Sequence, residues 1–466
     1  MHSPPTSATH SAETGGKGDL SPYRVDAPAD AAGRYGRMFD LPALVADEDV
    51  LHRIGASGGF CDAGDENAAF PRTDSCAGTG ASARTKDAQI EAGWPFFGQF
   101  VAHDLTADRS PLTTHAEVEL LANVRRAQAD LEPLYGPGPV GAPYLYSRND
   151  PAKLLEYGGD VPRNQEGIAV VVDPRNDSHI FMSQMQVAFI RAHNRLVDRL
   201  RGDGGDEQSL FEHARRALTW HYQWVIINEF LPQLVGSELV NTILAGGPRF
   251  YRPEGAPFIP VEFADGAYRY GHSQIHETYV LRPGRQAIRF FPDLMGFGPV
   301  GDRTVDWTLF FDVPGYPLAQ RAKPIDAHLV SSLIFLPEAI SGEVSDSVYA
   351  SLAARDLQRG HGLGLPSGES VARLIGAEVL GEDELELCRD GWTGQTPLWI
   401  YVQREAAARH AGNRLGEVGG TIIAEVLIEV IASDPDSYLA VAPDWRPTLP
   451  AHEGDFKLRD LLLDGA

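Results

Sequence analysis

Apolar residues recur at helical spacing through most of the chain, and the clearest case is the stretch from Trp94 to Thr106. Phe96, Phe97, Phe100, Val101 and Leu105 supply an apolar face, which predicts a buried helix entered through Gly93 and Pro95. Gln99 and His103 are four residues apart, so an amide and an imidazole stack on one face, while Asp104 is turned about 100° further round. After Asp177 a long amphipathic helix runs to Leu200, and residues 211–234 repeat the pattern with Trp220, Trp224, Ile226 and Phe230. Further helices are expected at 261–279, 326–337, 344–358, 370–375, 383–387 and 421–432. Strand patterning is confined to short pieces such as 169–172, and Tyr135-Gly-Pro-Gly-Pro139 is turn chemistry. Residues 55–92 read as irregular connection. The first 35 residues are Ser-, Thr-, Pro-, Gly- and Ala-rich and read as a disordered tail. There is no internal repeat. The expectation is a mainly α fold, one large helical domain over 36–466 with few short strands.

Composition narrows the function classes. A hydrophobic content of 43% and a charged content of 22% are ordinary for a globular protein of 466 residues. A net charge of −24 leaves no electrostatic footprint for nucleic acid or an anionic membrane surface. No apolar run reaches the ~18 residues of a spanning helix. The beginning of the chain lacks the basic-then-apolar layout of a secretory signal, so a cytoplasmic location is expected. Cys61, Cys76 and Cys388 exclude a disulfide framework and show no metal-type spacing. A Cys61–Cys76 bridge stays open, with free thiols the expectation.

Candidate chemistry enters with the polar residues that helical packing does not require. A buried Gln99/His103 pair needs partners. Arg175 stands in Asp-Pro-Arg-Asn-Asp just before the long helix, and His272 in Tyr268-Arg-Tyr-Gly-His272. Asp356 and Arg359 are three apart, hence neighbours on a helix. Singly, each has an ordinary structural use: an N-terminal ion pair, a core histidine, a surface salt bridge. As an ordered set they do more. Gly98-Gln-Phe-Val-Ala-His-Asp-Leu105 resembles the distal helix of the animal-type haem peroxidases, the peroxidase–cyclooxygenase superfamily. The Asp-Pro-Arg turn, Ile190-Arg-Ala-His-Asn-Arg-Leu196, Trp224-Val-Ile-Ile-Asn-Glu-Phe-Leu-Pro232, Tyr268-Arg-Tyr-Gly-His272, Asp356-Leu-Gln-Arg359 and Trp445-Arg-Pro-Thr-Leu-Pro450 follow in that family's order. The similarity covers about residues 35–466.

The resemblance implies haem b as cofactor, with His272 as proximal ligand to the iron and Asp356 accepting the N–H of that imidazole. Arg269 and Arg359 would pair with the haem propionates. His103 would be the distal acid–base, Arg175 would stabilise charge on the departing peroxide oxygen, and Gln99 would orient the peroxide. The implied activity is reduction of hydrogen peroxide through a ferryl haem, with a small-molecule electron donor oxidised in turn.

Departures from the family pattern shape these expectations. No carboxylate is offered at Gly98, Gln99 or Ala102, and Ser178 stands where a second ester-forming Glu is usual, with Asp177 one residue short. Haem held without covalent links is therefore expected. Asp356 replaces the usual Asn and would push the proximal imidazole toward imidazolate. Both features argue for a low potential, and for iodide, bromide or phenols as donors in preference to chloride. Asp104 and Asp130 match calcium ligands of the family, while Arg126 and Glu132 replace its hydroxyl ligands, so calcium is an open expectation. Two alternatives stand beside the peroxidase. One is a fatty-acid dioxygenase of the same superfamily, disfavoured because Arg269 holds the radical-tyrosine position with Tyr268 and Tyr270 on different helix faces. The other is a non-catalytic haem-binding protein, which has no chemical need for the full residue set.

Overall fold

The computed structural model describes residues 33–64, 87–108, 110, 112, 117–344, 346–387 and 392–463. Gly33–Gly36 is the middle strand of a small sheet, antiparallel to Ala122–Asn123 and parallel to Ile259–Pro260. Tyr35 is drawn into the core by this pairing, so the folded part reaches back to Gly33, inside the expected tail. The rest of that tail, Cys76 and Cys388 lie outside the described residues; Cys61 is buried.

The helix Trp94–Leu105 begins at Gly93 with proline in its first turn, and ends where Thr106 donates both its N–H and its hydroxyl to the Ala102 carbonyl. Its apolar side is clamped by the long helix Ile180–Gly202. Phe96 stacks on Phe181 with centroids 4.0 Å apart, and Phe100 meets Phe189 at 4.7 Å. Each such buried ring contributes about 1.5–3 kcal/mol by leaving water. Leu210–Val225 packs along Ile180–Gly202. Glu417–Ala432, apolar on nearly every side, runs against Leu398–His410 and Ser237–Gly246. Glu48–Gly55, Ser237–Gly246 and Leu398–His410 are helices that periodicity does not single out.

Several expected helices are broken, each for a local reason. The 211–234 helix opens into wide turns at Ile226–Phe230, just ahead of Pro232, whose missing N–H and ring bulk a regular helix cannot absorb. Residues 261–279 form wide turns over Glu262–Gly266 and a 3₁₀ helix over Ala267–Gln274, then a strand Thr278–Tyr279 paired with Ile288–Arg289. The change occurs at Gly266, whose φ of −119° and ψ of −93° leave the helical region. Of 326–337 only Ser331–Ile334 is helical. The 344–358 helix divides at Ser351, which is extended and caps Leu352–Gly362 while donating its hydroxyl to Gly55 O at 2.6 Å. Instead of a strand, 169–172 makes one isolated bridge among the described residues, Arg163 to Ala169. The mainly α, few-strand expectation holds.

Candidate functional site

A cavity of about 330 Å³ opens between the helix Trp94–Leu105 and the 3₁₀ segment Ala267–Gln274, a size within the ordinary range for ligand sites. Gln99, His103, Arg175, Arg269 and His272 all border it.

On the helix side, the tautomer of His103 follows from its neighbours. Asn176 donates its amide N–H to Gln186 Oε1 at 2.9 Å, leaving Asn176 Oδ1 to accept from His103 Nδ1 at 2.7 Å. Nδ1 therefore carries the proton, and Nε2 keeps a lone pair with no protein partner among the described residues. Burial, then the charge of Arg175, lowers the His103 pKa to about 3, so the ring is neutral at ordinary pH. Arg175 is itself anchored. Asp173 accepts from its Nε and Nη2, and the His103 and Thr106 carbonyls accept from Nη2 at 3.2 and 2.7 Å. Nη1 is left without a protein partner among the described residues. Burial alone would raise Asp173, but Arg175 and Arg125 hold it well below the usual carboxylate range. Gln99 accepts from His179 Nε2 at 2.9 Å.

On the other side, His272 Nδ1 donates to Asp356 Oδ2 at 2.6 Å, and Asp356 is fully buried. Arg269 bonds the second oxygen of Asp356 at 2.8 Å and Asp265 at 2.6 Å. Asp356 is thus shared between an imidazole and a guanidinium, which moderates the imidazolate character expected from a lone carboxylate. Arg359, expected beside Arg269 at the cavity, is set back from it. Asp108 takes its guanidinium at 2.9 Å, with Ser110 and Asp265 close by. The attraction of partly buried Asp108 and buried Asp265 accounts for that placement. Tyr268 and Tyr270, expected on different helix faces, both border the cavity, as does every residue of the 3₁₀ segment from Tyr268 to His272.

The residues fit a haem. Of the three imidazoles that border the cavity, His103 and His272 each have Nδ1 anchored and Nε2 left over, and a Cβ built at Gly271 would meet nothing within 4 Å. Among the described residues no carboxylate borders the cavity; Asp177 is turned away into a two-point pair with Arg163 at 2.7 and 2.8 Å.

The calcium region is different. Asp104 accepts the N–H groups of Leu131 and Glu132, both at 3.1 Å, and Asp130 accepts that of Glu132 at 3.0 Å. Arg126 pairs with Asp130, and buried Arg125 bridges Glu132 and Asp173. N–H donors and guanidinium groups occupy directions where a hard cation needs oxygen, so the donor set does not fit calcium. Among the described residues no group of three or more His, Cys, Asp or Glu is disposed to hold a metal ion.

Asn176 and His179 are functional neighbours that pattern reading missed. Both sit in the turn between Asp173 and the long helix, where no periodicity reveals side-chain direction. A histidine immediately before that helix was the one available signal.

The sequence model of the animal haem peroxidase family matches residues 141–382, which hold Arg175, His272, Asp356 and Arg359 but begin after His103. Chorion peroxidase of Drosophila melanogaster is 27% identical over 281 residues, 56% of this chain and 33% of that protein. Heme peroxidase 2 of Caenorhabditis elegans is 28% identical over 296 residues, 58% of this chain and 40% of that protein. The chain thus matches about a third of the length of such curated relatives. Among solved structures, peroxidase A from Dictyostelium discoideum superposes with a TM-score of 0.61 at 14% identity, covering 88% of each chain. A fatty acid alpha-dioxygenase of Oryza sativa, solved with palmitic acid, gives 0.62 at 15% identity over 87% of this chain and 76% of that one. These likenesses show the shared fold.

Proposed function

The chain belongs to the animal haem peroxidase family, and from that premise we propose that it reduces hydrogen peroxide at a non-covalently bound haem b while oxidising a small-molecule donor. One observation carries the reading: His103 and His272 border one cavity, each with Nδ1 anchored by a buried partner and Nε2 remaining. Bound haem would supply the redox-active iron at which the O–O bond of peroxide is broken. His272 would hold that iron through Nε2, its ring fixed by Asp356. His103, neutral, would take the proton from the near peroxide oxygen at Nε2 and return it to the departing one, which a weakly basic imidazole releases readily. Arg175 would offer Nη1–H and its charge to the departing oxygen, a site preorganised by Asp173 and two carbonyls. Gln99 would hold the peroxide in place. The lack of a carboxylate on the cavity wall among the described residues supports haem without ester links. Iodide, bromide and phenols are the donors we propose.

Stopped-flow mixing of the haem-loaded protein with peroxide tests the assignment. The spectral change should be fast in wild type and about 10²–10⁴-fold slower in His103→Ala. Equal rates would remove His103 from the mechanism.

A second reading, fatty-acid oxygenation, is favoured by the placement of Tyr268 and Tyr270 on the cavity wall, with Phe290, Phe291, Leu333 and Leu336 beside them. Oxygen uptake with linoleate, abolished by a Tyr→Phe change at either position, would support it over the peroxidase.

A further inference from the structure

His179 stands in the cavity wall one residue ahead of the helix Ile180–Gly202, and the chemistry above makes no use of it. Its position is fixed by backbone. Ile180 N donates to Leu294 O at 2.9 Å, and Gly296 N donates to Ser178 O at 3.0 Å. The ring lies among Phe96, Phe181, Phe290 and Phe291, with centroids 5.1–6.3 Å away, so its environment is dry. Burial, then His103, lowers its pKa to about 3, and the ring is neutral with one N–H.

Where that single proton sits determines what Gln99 presents to the cavity. His179 Nε2 lies 2.9 Å from Gln99 Oε1, and His179 Nδ1 is buried with no partner. A proton on Nδ1 would leave a buried donor unsatisfied, the costlier of the two orphans, and would set two lone pairs against each other at Gln99. A proton on Nε2 removes both costs. It leaves only a buried acceptor without a partner. Gln99 Oε1 is then engaged, and the amide N–H pair, which no protein acceptor takes among the described residues, is the part of Gln99 left for the cavity.

We propose that His179 is a positioning residue: it fixes the Gln99 amide so that N–H donors, not the carbonyl oxygen, face a peroxide or anion bound beside His103. The proposal rests on the haem-site reading, which gives Gln99 something to bind. Without His179 the amide is free to rotate by half a turn, and its oxygen would repel an anionic guest.

Fluoride binding to the ferric haem-loaded full chain tests this without turnover. His179→Leu should weaken fluoride by about 3–10-fold, the worth of one neutral hydrogen bond. His179→Gln, which can still donate to Gln99, should restore most of the affinity. In a Gln99→Leu background, changing His179 should have no further effect, since the two act through one contact. A loss of equal size with and without Gln99, or no loss in His179→Leu, would overturn the proposal. If His179→Leu takes up no haem, His179→Gln against the shorter His179→Asn carries the same contrast, and equal affinities in that pair would overturn it. His103→Ala in the peroxide reaction separates the two levels. If it slows while His179→Leu binds fluoride normally, the site stands and only the positioning role falls.

Discussion

Replacing Asp356 by Asn keeps the shape of the side chain and an acceptor for His272 Nδ1–H while removing one negative charge from a fully buried position. Arg269 retains Asp265 as a partner, so the fold should tolerate the change. With haem bound on His272, the carboxylate is one imidazole away from the iron, about 7 Å, where a unit charge is worth about 2 kcal/mol at an effective dielectric of about 20. The ferric state carries one more positive charge than the ferrous and loses that stabilisation in the variant. About 59 mV corresponds to a tenfold change in a one-electron equilibrium, so the Fe(III)/Fe(II) potential should rise by about 50–100 mV, the lower figure allowing for relaxation around Arg269. Spectroelectrochemical titration of wild type and Asp356→Asn side by side measures it, with thermal unfolding as a check on the fold. An unchanged or lowered potential in a folded, haem-loaded variant would refute the electrostatic reasoning.

Three further outcomes are expected. Because burial and Arg175 hold the His103 pKa near 3, its base form persists as pH falls and is lost only on passing through that value. The peroxide rate should be flat from about pH 8 to pH 5, whereas halving near the ordinary histidine value of about 6.5 would contradict the environment assigned to His103. A Cβ at Gly296 would lie 1.8 Å from Asp177 O and 3.0 Å from His179 N. Gly296→Ala should therefore cost about 1–3 kcal/mol in thermal or denaturant unfolding, and an unaffected midpoint would deny that close approach. Chelation with EDTA should leave the unfolding temperature unchanged, since Arg125 and Arg126 already neutralise Glu132, Asp173 and Asp130. Marked stabilisation on adding calcium would contradict this.

The parts of the site legible in the sequence were those set by regular helix geometry. The four-residue spacing put Gln99 and His103 on the cavity side of one helix and turned Asp104 toward the N–H groups of Leu131 and Glu132. Three-residue spacing likewise placed Asp356 and Arg359 on one helix. What spacing could not give was the pairing of His272 with Asp356 across 84 positions, for which the ordered family motifs were needed. It also failed where backbone leaves regular geometry. The tyrosines were assigned to different faces because residues 261–279 read as one α-helix, whereas Gly266 ends the wide turns and the 3₁₀ helix that follows runs along the cavity from Tyr268 to His272. The pairing of Arg359 with Asp108 was likewise not legible, because that proximity exists only in three dimensions. His179 was invisible for the same reason: its direction is set by Leu294 and Gly296.

Titration of haemin into the purified chain, followed by resonance Raman spectroscopy of the loaded protein, bears most directly on the reading that His272 and His103 serve one haem in different roles. A Soret band saturating at one haem per chain, with an iron–imidazole vibration lost in His272→Ala and kept in His103→Ala, is the expected result. No Soret band in wild type, or loss of the vibration in His103→Ala but not in His272→Ala, would contradict it.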